Sequence, residues 1–320
     1  MPFLKSFIAA AALGVAALLT ESQTHAGSLG LYESDANGFN TRTYFYDDGT
    51  EVTVFDTQFV PALTEAMVQK IRETTDNPIT RVIVTHPNPD KFNGLSVLHA
   101  LGATSIASKA TADALSGVHS YKKFFWVEIA KAFTAETYPV LEAVQETFSG
   151  DMTIPLKSGE TITLFELQNP GVSTTQTVAR IDATGDLIVG DLVHYQNHAW
   201  LEGGIADGAP KPDLDAWIKA VKELEGLNGS TIHGGRGPSG PVADVIADQT
   251  AYLSAMDRLV SDYVSGLGDK AGELKDPETA QGHFNAIQER AEAAFPDRGL
   301  SYLIGYGVYG LAQTKLASGG

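Results

Sequence analysis

The chain has 320 residues, 43% apolar and 19% charged, which is enough to bury a sizeable core in one large domain or two ordinary ones. Its net charge of −17 argues against nucleic acid as a partner and against docking on anionic lipid, since nothing in it would displace phosphate counterions. It has no cysteine, which excludes disulfides, thiolate metal ligands and a cysteine nucleophile.

Residues 1–26 carry Lys5, the apolar run "FIAAAALGVAALL", polar "TESQ" and a small-x-small triplet, Thr24-His25-Ala26. This is the pattern of a secretory signal peptide, so the expected mature chain starts at Gly27, is periplasmic or secreted, and has no further segment apolar enough for stable membrane insertion.

"TRTYFYDDGTEVTVFDTQF" reads as a hairpin turning at Asp47-Asp48-Gly49. Residues 61–75 begin with proline and place Leu63, Met67 and Ile71 at helical spacing. Arg81-Val82-Ile83-Val84 reads as a strand and opens into "THPNPDKFNG", followed by helix "LSVLHALG", strand "TSIAS" and short helix "KATADALSG". Residues 119–148 contain two long aromatic-rich patterns, "YKKFFWVEIAKAF" and "YPVLEAVQETF", and are expected to be a helical insertion able to cover a site. Strands resume at "MTIPL", "ETITLFEL", "TVARID" and "DLIVGDLV". "LDAWIKAVKELEGL" is an amphipathic helix, and "STIHGG" gives a last strand. From residue 241 the pattern is helical in three segments, near 241–266, 277–295 and 299–316. The expected organisation is a domain over 27–240 and a helical extension over 241–320 packed on it; two similar strand-helix halves imply sheets inside and helices outside.

The motif order resembles that of the metallo-β-lactamase superfamily. "VTVFDTQF" is similar to that family's strand ending in Asp-Thr-Gly, and "VIVTHPNPDKFNG" to its Thr-His-x-His-x-Asp-His-x-x-Gly loop. "NPGVSTTQTV", "DLIVGDLV" and "TIHGGRGP" resemble, in order, the loops and strand that supply its remaining ligands. The resemblance implies an α/β fold, a four-layer αββα sandwich with a metal site at one edge. Of seven ligand positions, His86, Asp90 and Asp191 keep their residue type, while Asn88, Lys91, Val172 and Arg236 replace histidines.

Lysine and arginine have no electron pair to donate at neutral pH, and valine none at all. A divalent ion at ~4 Å from either cation would meet repulsion on the order of several kcal/mol. The expectation is no cofactor, with zinc or another divalent metal held at best weakly by His86, Asn88 and Asp191. Two carboxylates stranded in one pocket are expensive. Lys91 and Arg236 are therefore expected to replace the metal charge in a network with Asp90 and Asp191.

Three functional readings follow. The first is a hydrolase acting on a small ester or lactone, with His86 and Asp90 handling protons and Lys91 and Arg236 stabilising an oxyanion, Asp191 completing the catalytic set. The second is a non-catalytic protein gripping a small anionic ligand through Lys91 and Arg236. The third is an ordinary two-zinc hydrolase. His233 is expected to point away from the pocket, and His194 and His198 to be packing residues. Ser173, Thr174 and Thr175 lack a nucleophile motif and read as hydrogen bonds at a strand entry. Phe124, Phe125 and Trp126 read as core by default, with capping of an apolar substrate pocket or pairing of two subunits as the alternatives, and Tyr302, Tyr306 and Tyr309 read the same way. Oligomeric state is left open.

Overall fold

A computed structural model of the chain describes residues 27–318. The expected signal peptide lies outside the described residues. Two six-stranded sheets face each other. The first runs, in spatial order, β1 (Ser28–Glu33), β2 (Arg42–Asp47), β3 (Val52–Phe55), β4 (Ile79–Ile83), β5 (Thr104–Ser108) and β6 (Glu146–Phe148). Helices α1 (Pro61–Arg72), α2 (Pro89–Phe92), α3 (Leu95–Ala100) and α4 (Lys109–Phe124) lie in its crossovers.

The second sheet is built from β7 (Met152–Pro155), β8 (Thr161–Glu166), β9 (Thr177–Ile181) and β10 (Asp186–His194). A hairpin of β11 (Gly204–Ala206) and β12 (Ala209–Lys211) and helix α5 (Leu214–Glu223) lead to β13 (Thr231–Arg236) and β14 (Gly240–Pro241), which extend the sheet from the β10 side. Helices α6 (Val242–Gly266), α7 (Ala280–Ala294) and α8 (Tyr302–Ser318) follow.

Side-chain alternation along each strand makes the layers. In β2, Tyr44 and Tyr46 join the core between the sheets, while Phe45 faces the helices outside. In β4, Ile83 points in and Val82 points out. The outer face of the second sheet shares one continuous core with α5 and the C-terminal helices, where Val189, Leu192 and Trp217 pack with Leu253, Ile287 and Val308. The arrangement is the expected αββα sandwich with C-terminal helices.

The 119–148 region departs from expectation. Its first half continues α4, a single helix from Lys109 capped by Ser108, whose hydroxyl accepts from the Thr111 N–H; the helix then widens into a π-type turn over Phe125–Ile129. Its second half is not helical. Pro139 lacks a donor and disfavours helical backbone at Tyr138, and the segment ends in β6, which pairs in parallel with β5 and turns Phe148 into the inter-sheet core. Strand β1 and the β11–β12 hairpin were also unanticipated. They are short, and their pairing partners are fixed by the fold rather than by local pattern.

Candidate functional site

The C-terminal ends of β3, β4, β10 and β13 converge at one edge of the sandwich. Just past β3, Asp56 sits in the left-handed region (φ 69°) and accepts from both the backbone N–H and the hydroxyl of Thr85, each at 2.8 Å. Burial pushes its carboxyl up to about 6, against Lys91 and His86. The 85–94 loop is clamped further by Thr57 N–H donating to the Lys91 carbonyl (3.1 Å) and by the Asn93 amide donating to the Phe59 carbonyl (3.0 Å). Pro89 starts α2, so Asp90 and Lys91 lie in its single turn.

From the other sheet, β10 bulges at Gly190 and delivers Asp191, while β13, running parallel to it, ends at Arg236. Gly190 (φ 52°) leaves room for Thr85 and for the His86 ring, whose nearest atoms would lie 3.0 Å from an added Cβ. At Gly235 a Cβ would collide with Asp191 Oδ1. Both glycines are therefore required by close approach.

These elements bring four charged side chains into one cluster. Lys91 Nζ lies 2.9 Å from Asp90 Oδ2 and 3.0 Å from Asp191 Oδ1. Arg236 Nη2 donates to Asp90 Oδ2 at 3.1 Å, and its Nη1 lies 2.5 Å from Asp191 Oδ1 without a well-aligned hydrogen bond. Thr41 also donates to Asp90 Oδ2, at 2.9 Å. Burial alone would push both carboxyls up, but Lys91 and Arg236 outweigh it. Asp90 is held below its ordinary value, and Asp191 well below. Burial likewise opposes the charge on Lys91, yet Asp191 and Asp90 leave it raised. Lys91 is fully buried, and so is His86, whose Nδ1 pairs with Thr85 Oγ1 at 2.9 Å. His86 Nε2 faces Asp191 Oδ2 at 3.7 Å with no hydrogen bond.

Above the cluster opens a pocket with about 390 Å³ of free space, part of it open to solvent. Asn88, Asp90, Asp191 and Arg236 form its base; Phe39, Phe59, Trp126, Trp200 and Lys122 form its sides. His86 and Lys91 are not on its wall. They lie behind Asp191 and Asp90, so His86 does not meet the pocket as a proton-handling group would.

The remaining candidates sort by position. Val172 is core, packed with Leu192 and Trp217. His233 bonds Asp186 (2.8 Å) and Ser239 (2.7 Å). His194 and His198 are buried in the core, His198 against Tyr252. Ser173 is buried without a partner for its hydroxyl, Thr175 pairs with Thr111 at 2.8 Å, and Thr174 borders a shallower groove. Phe124 (56% exposed) and Tyr306 (47% exposed) are surface residues rather than core, because α4 and α8 each turn one edge to solvent there. Phe125 stacks on Tyr309, and Tyr302 donates to Asn40.

Lys122, Glu202, Phe39 and Phe59 were not singled out by sequence, and Trp200 was read as ordinary packing. Asp56 and Phe59 lay within a signal, the "FDTQF" match.

The family's metal pair can be tested against this geometry. Among the described residues no group of three or more His, Cys, Asp or Glu side chains is placed to hold a metal ion. The Lys91 ammonium fills the space between the two carboxylates, and Arg236 takes the same Asp191 oxygen. Two buried cations in contact with both Asp90 and Asp191 do not fit a metal pair.

The comparisons place the fold. A metallo-beta-lactamase from Pontibacter korlensis superposes with a TM-score of 0.53 at 18% identity, covering 72% of this chain and 95% of that one. The DIM-1 metallo-beta-lactamase, in a crystal exposed to ceftazidime, gives 0.51 at 18% identity, covering 73% and 95%. The family model described as the metallo-beta-lactamase superfamily matches residues 36–236, which spans every element that builds the pocket's base. On that match, and with the sandwich, the edge site and the ordered motifs in agreement, the chain belongs to the metallo-beta-lactamase superfamily.

Proposed function

We propose that the chain is an exported hydrolase-like protein that acts on a small ester or lactone, with Lys91 and Arg236 carrying the positive charge that the superfamily resemblance assigns to metal ions. The observation that carries this reading is the position of both cations, each bridging Asp90 and Asp191 within 3.1 Å. The charge is balanced without an ion, and one face of the cluster still opens into a pocket.

The chemistry falls to groups on the pocket wall. The hydrogen bonds to Asp90 all go to Oδ2, so Oδ1 is available to accept from a water. That water adds to the carbonyl carbon and passes its proton to Asp90. The carbonyl oxygen takes the electron pair and faces the Arg236 guanidinium on the pocket lining. Collapse breaks the ester bond, and the leaving alcohol recovers the proton. A carboxylate held below its ordinary range is a weak base, which restricts the reaction to activated carbonyls and excludes ordinary amides. The same weakness supports a second reading, in which the pocket binds a small molecule without turning it over. Binding of an anion is the less favoured form of that reading, since both cations are already met by carboxylates.

The test uses the chain from Gly27, a panel of esters and lactones, and parallel reactions with chelator and with zinc. The expected result is turnover indifferent to both, reduced about 10²–10³-fold in Arg236→Gln by loss of the oxyanion donor. Turnover that needs stoichiometric zinc overturns the proposal, and no turnover across the panel leaves the binding reading in its place.

A further inference from the structure

The pocket's sides and its charge balance narrow the ligand further. We infer that this pocket selects a neutral, flat aromatic group carrying a carbonyl, an aryl ester or ring-fused lactone rather than an aliphatic or charged molecule. The inference rests on the proposed site but not on its turnover.

Four rings from four separate segments form the walls. Phe39 meets Phe59 edge-on at 5.0 Å and Trp200 edge-on at 5.7 Å, lies tilted against Trp126 at 5.5 Å, and Phe59 meets Trp126 edge-on at 5.4 Å. An inserted aromatic can join such a cluster through the same edge-to-face or offset contacts.

The polar groups are charge-balanced. Lys91 and Arg236 are met by Asp90 and Asp191. Lys122, 95% buried, pairs with Glu202, which also accepts from Trp200 Nε1 at 2.9 Å and from the Tyr309 hydroxyl. Each of these three cations is thus met by a carboxylate, with Asp56 buried behind Lys91 as a fourth. A charged ligand would lose its water and find no free counter-charge. A neutral carbonyl loses less water and needs only a hydrogen-bond donor, which Arg236 and Asn88 on the pocket lining supply.

The backbone points the same way. Phe39 and Asn40 are adjacent and both left-handed, at φ 61° and 51°. This region is disfavoured for a residue with a Cβ, most of all a bulky one, and persists only where the surroundings enforce it. Here Arg236 Nε donates to the Phe39 carbonyl at 2.9 Å, and Tyr302 of α8 donates to Asn40 Oδ1 at 2.8 Å. One strained turn therefore sets both a pocket wall and the orientation of the pocket's guanidinium.

Trp126 and Trp200 line the pocket, so intrinsic fluorescence reports its occupancy. The chain from Gly27 is titrated with phenylacetone, a neutral aryl ketone that cannot be hydrolysed, and with cyclohexylacetone, benzoate and benzyltrimethylammonium. The expected result is saturable quenching by phenylacetone, about tenfold tighter than by any of the other three, with a similar loss in Phe39→Gly, which accepts the backbone angle but lacks the ring. Phe39→Leu serves if the glycine variant does not fold. Equal or tighter binding of benzoate, the ammonium or the cyclohexyl ketone overturns the inference, as does undiminished affinity in both Phe39 variants. Ester turnover without phenylacetone binding sinks this inference alone; phenylacetone binding without turnover of any ester sinks the hydrolase reading alone.

Discussion

Replacing Lys91 by methionine keeps the length of the side chain and deletes its charge in a fully buried position. Asp90 and Asp191 are then left to share Arg236. At an effective dielectric near 20, each ~3 Å contact is worth about 5 kcal/mol before desolvation is counted. The net cost of removing one member of a buried pair is about 3–5 kcal/mol, a large share of the ~5–15 kcal/mol that holds an ordinary domain folded. The loss should depend on pH. In the wild type both carboxyls sit below their ordinary values, so their contribution is present above the unfolded value near 4 and is lost only as pH falls through the folded values. In Lys91→Met one carboxyl rises instead, and that variant loses stability as pH climbs above the unfolded value. Its deficit is therefore largest at pH 7.5 and narrows toward pH 4.5. Urea unfolding at the two pH values measures this, and the double variant Lys91→Met/Asp191→Asn should recover much of the loss. A deficit under ~1 kcal/mol at pH 7.5, or one that does not shrink at pH 4.5, would refute the view that Lys91 stands as the counter-ion of this pair.

His194, at the end of β10, offers a second test. Both its ring nitrogens are unpartnered, and burial pushes its pKa down to about 3. Its folded value lies below its unfolded one, so stability is complete above pH ~6.5 and falls by about 2 kcal/mol on acidification to pH 4.5. His194→Phe should flatten the pH dependence of urea unfolding in that window; an unchanged slope would count against it. The glycines give a contrasting pair. Gly235→Ala would drive a methyl into Asp191 and should cost about 1–3 kcal/mol. Gly117→Ala, inside α4 with open space around it, should stabilise by about 0.5–1 kcal/mol, and calorimetry that finds the two alike would show the Asp191 approach to be slack.

Much of the framework was legible in the chain. The central strands of both sheets and the C-terminal helices announce themselves through period-2 and period-3.6 patterns, which are local properties. The grouping of Asp90, Lys91, Asp191 and Arg236 was readable because ordered motifs at strand ends fix where those residues meet. The helix expected over the second half of 119–148 failed because a short apolar run serves a helix or an edge strand equally well. Pairing with β5 decided between them.

What the sequence determined by itself is which residues sit at the strand ends, and that cations stand there in place of imidazoles. What only the tertiary structure decided is which of them reach the pocket. His86 and Lys91 lie behind the carboxylates they flank, while Lys122 from α4, Trp200 and Glu202 after β10, and Phe39 from a strained turn come together above them. The physical reason is range. Backbone pattern and motif spacing act over a few residues, but the exposure of a buried charge and the closing of an aromatic wall depend on segments brought together from as far apart as residues 39 and 236.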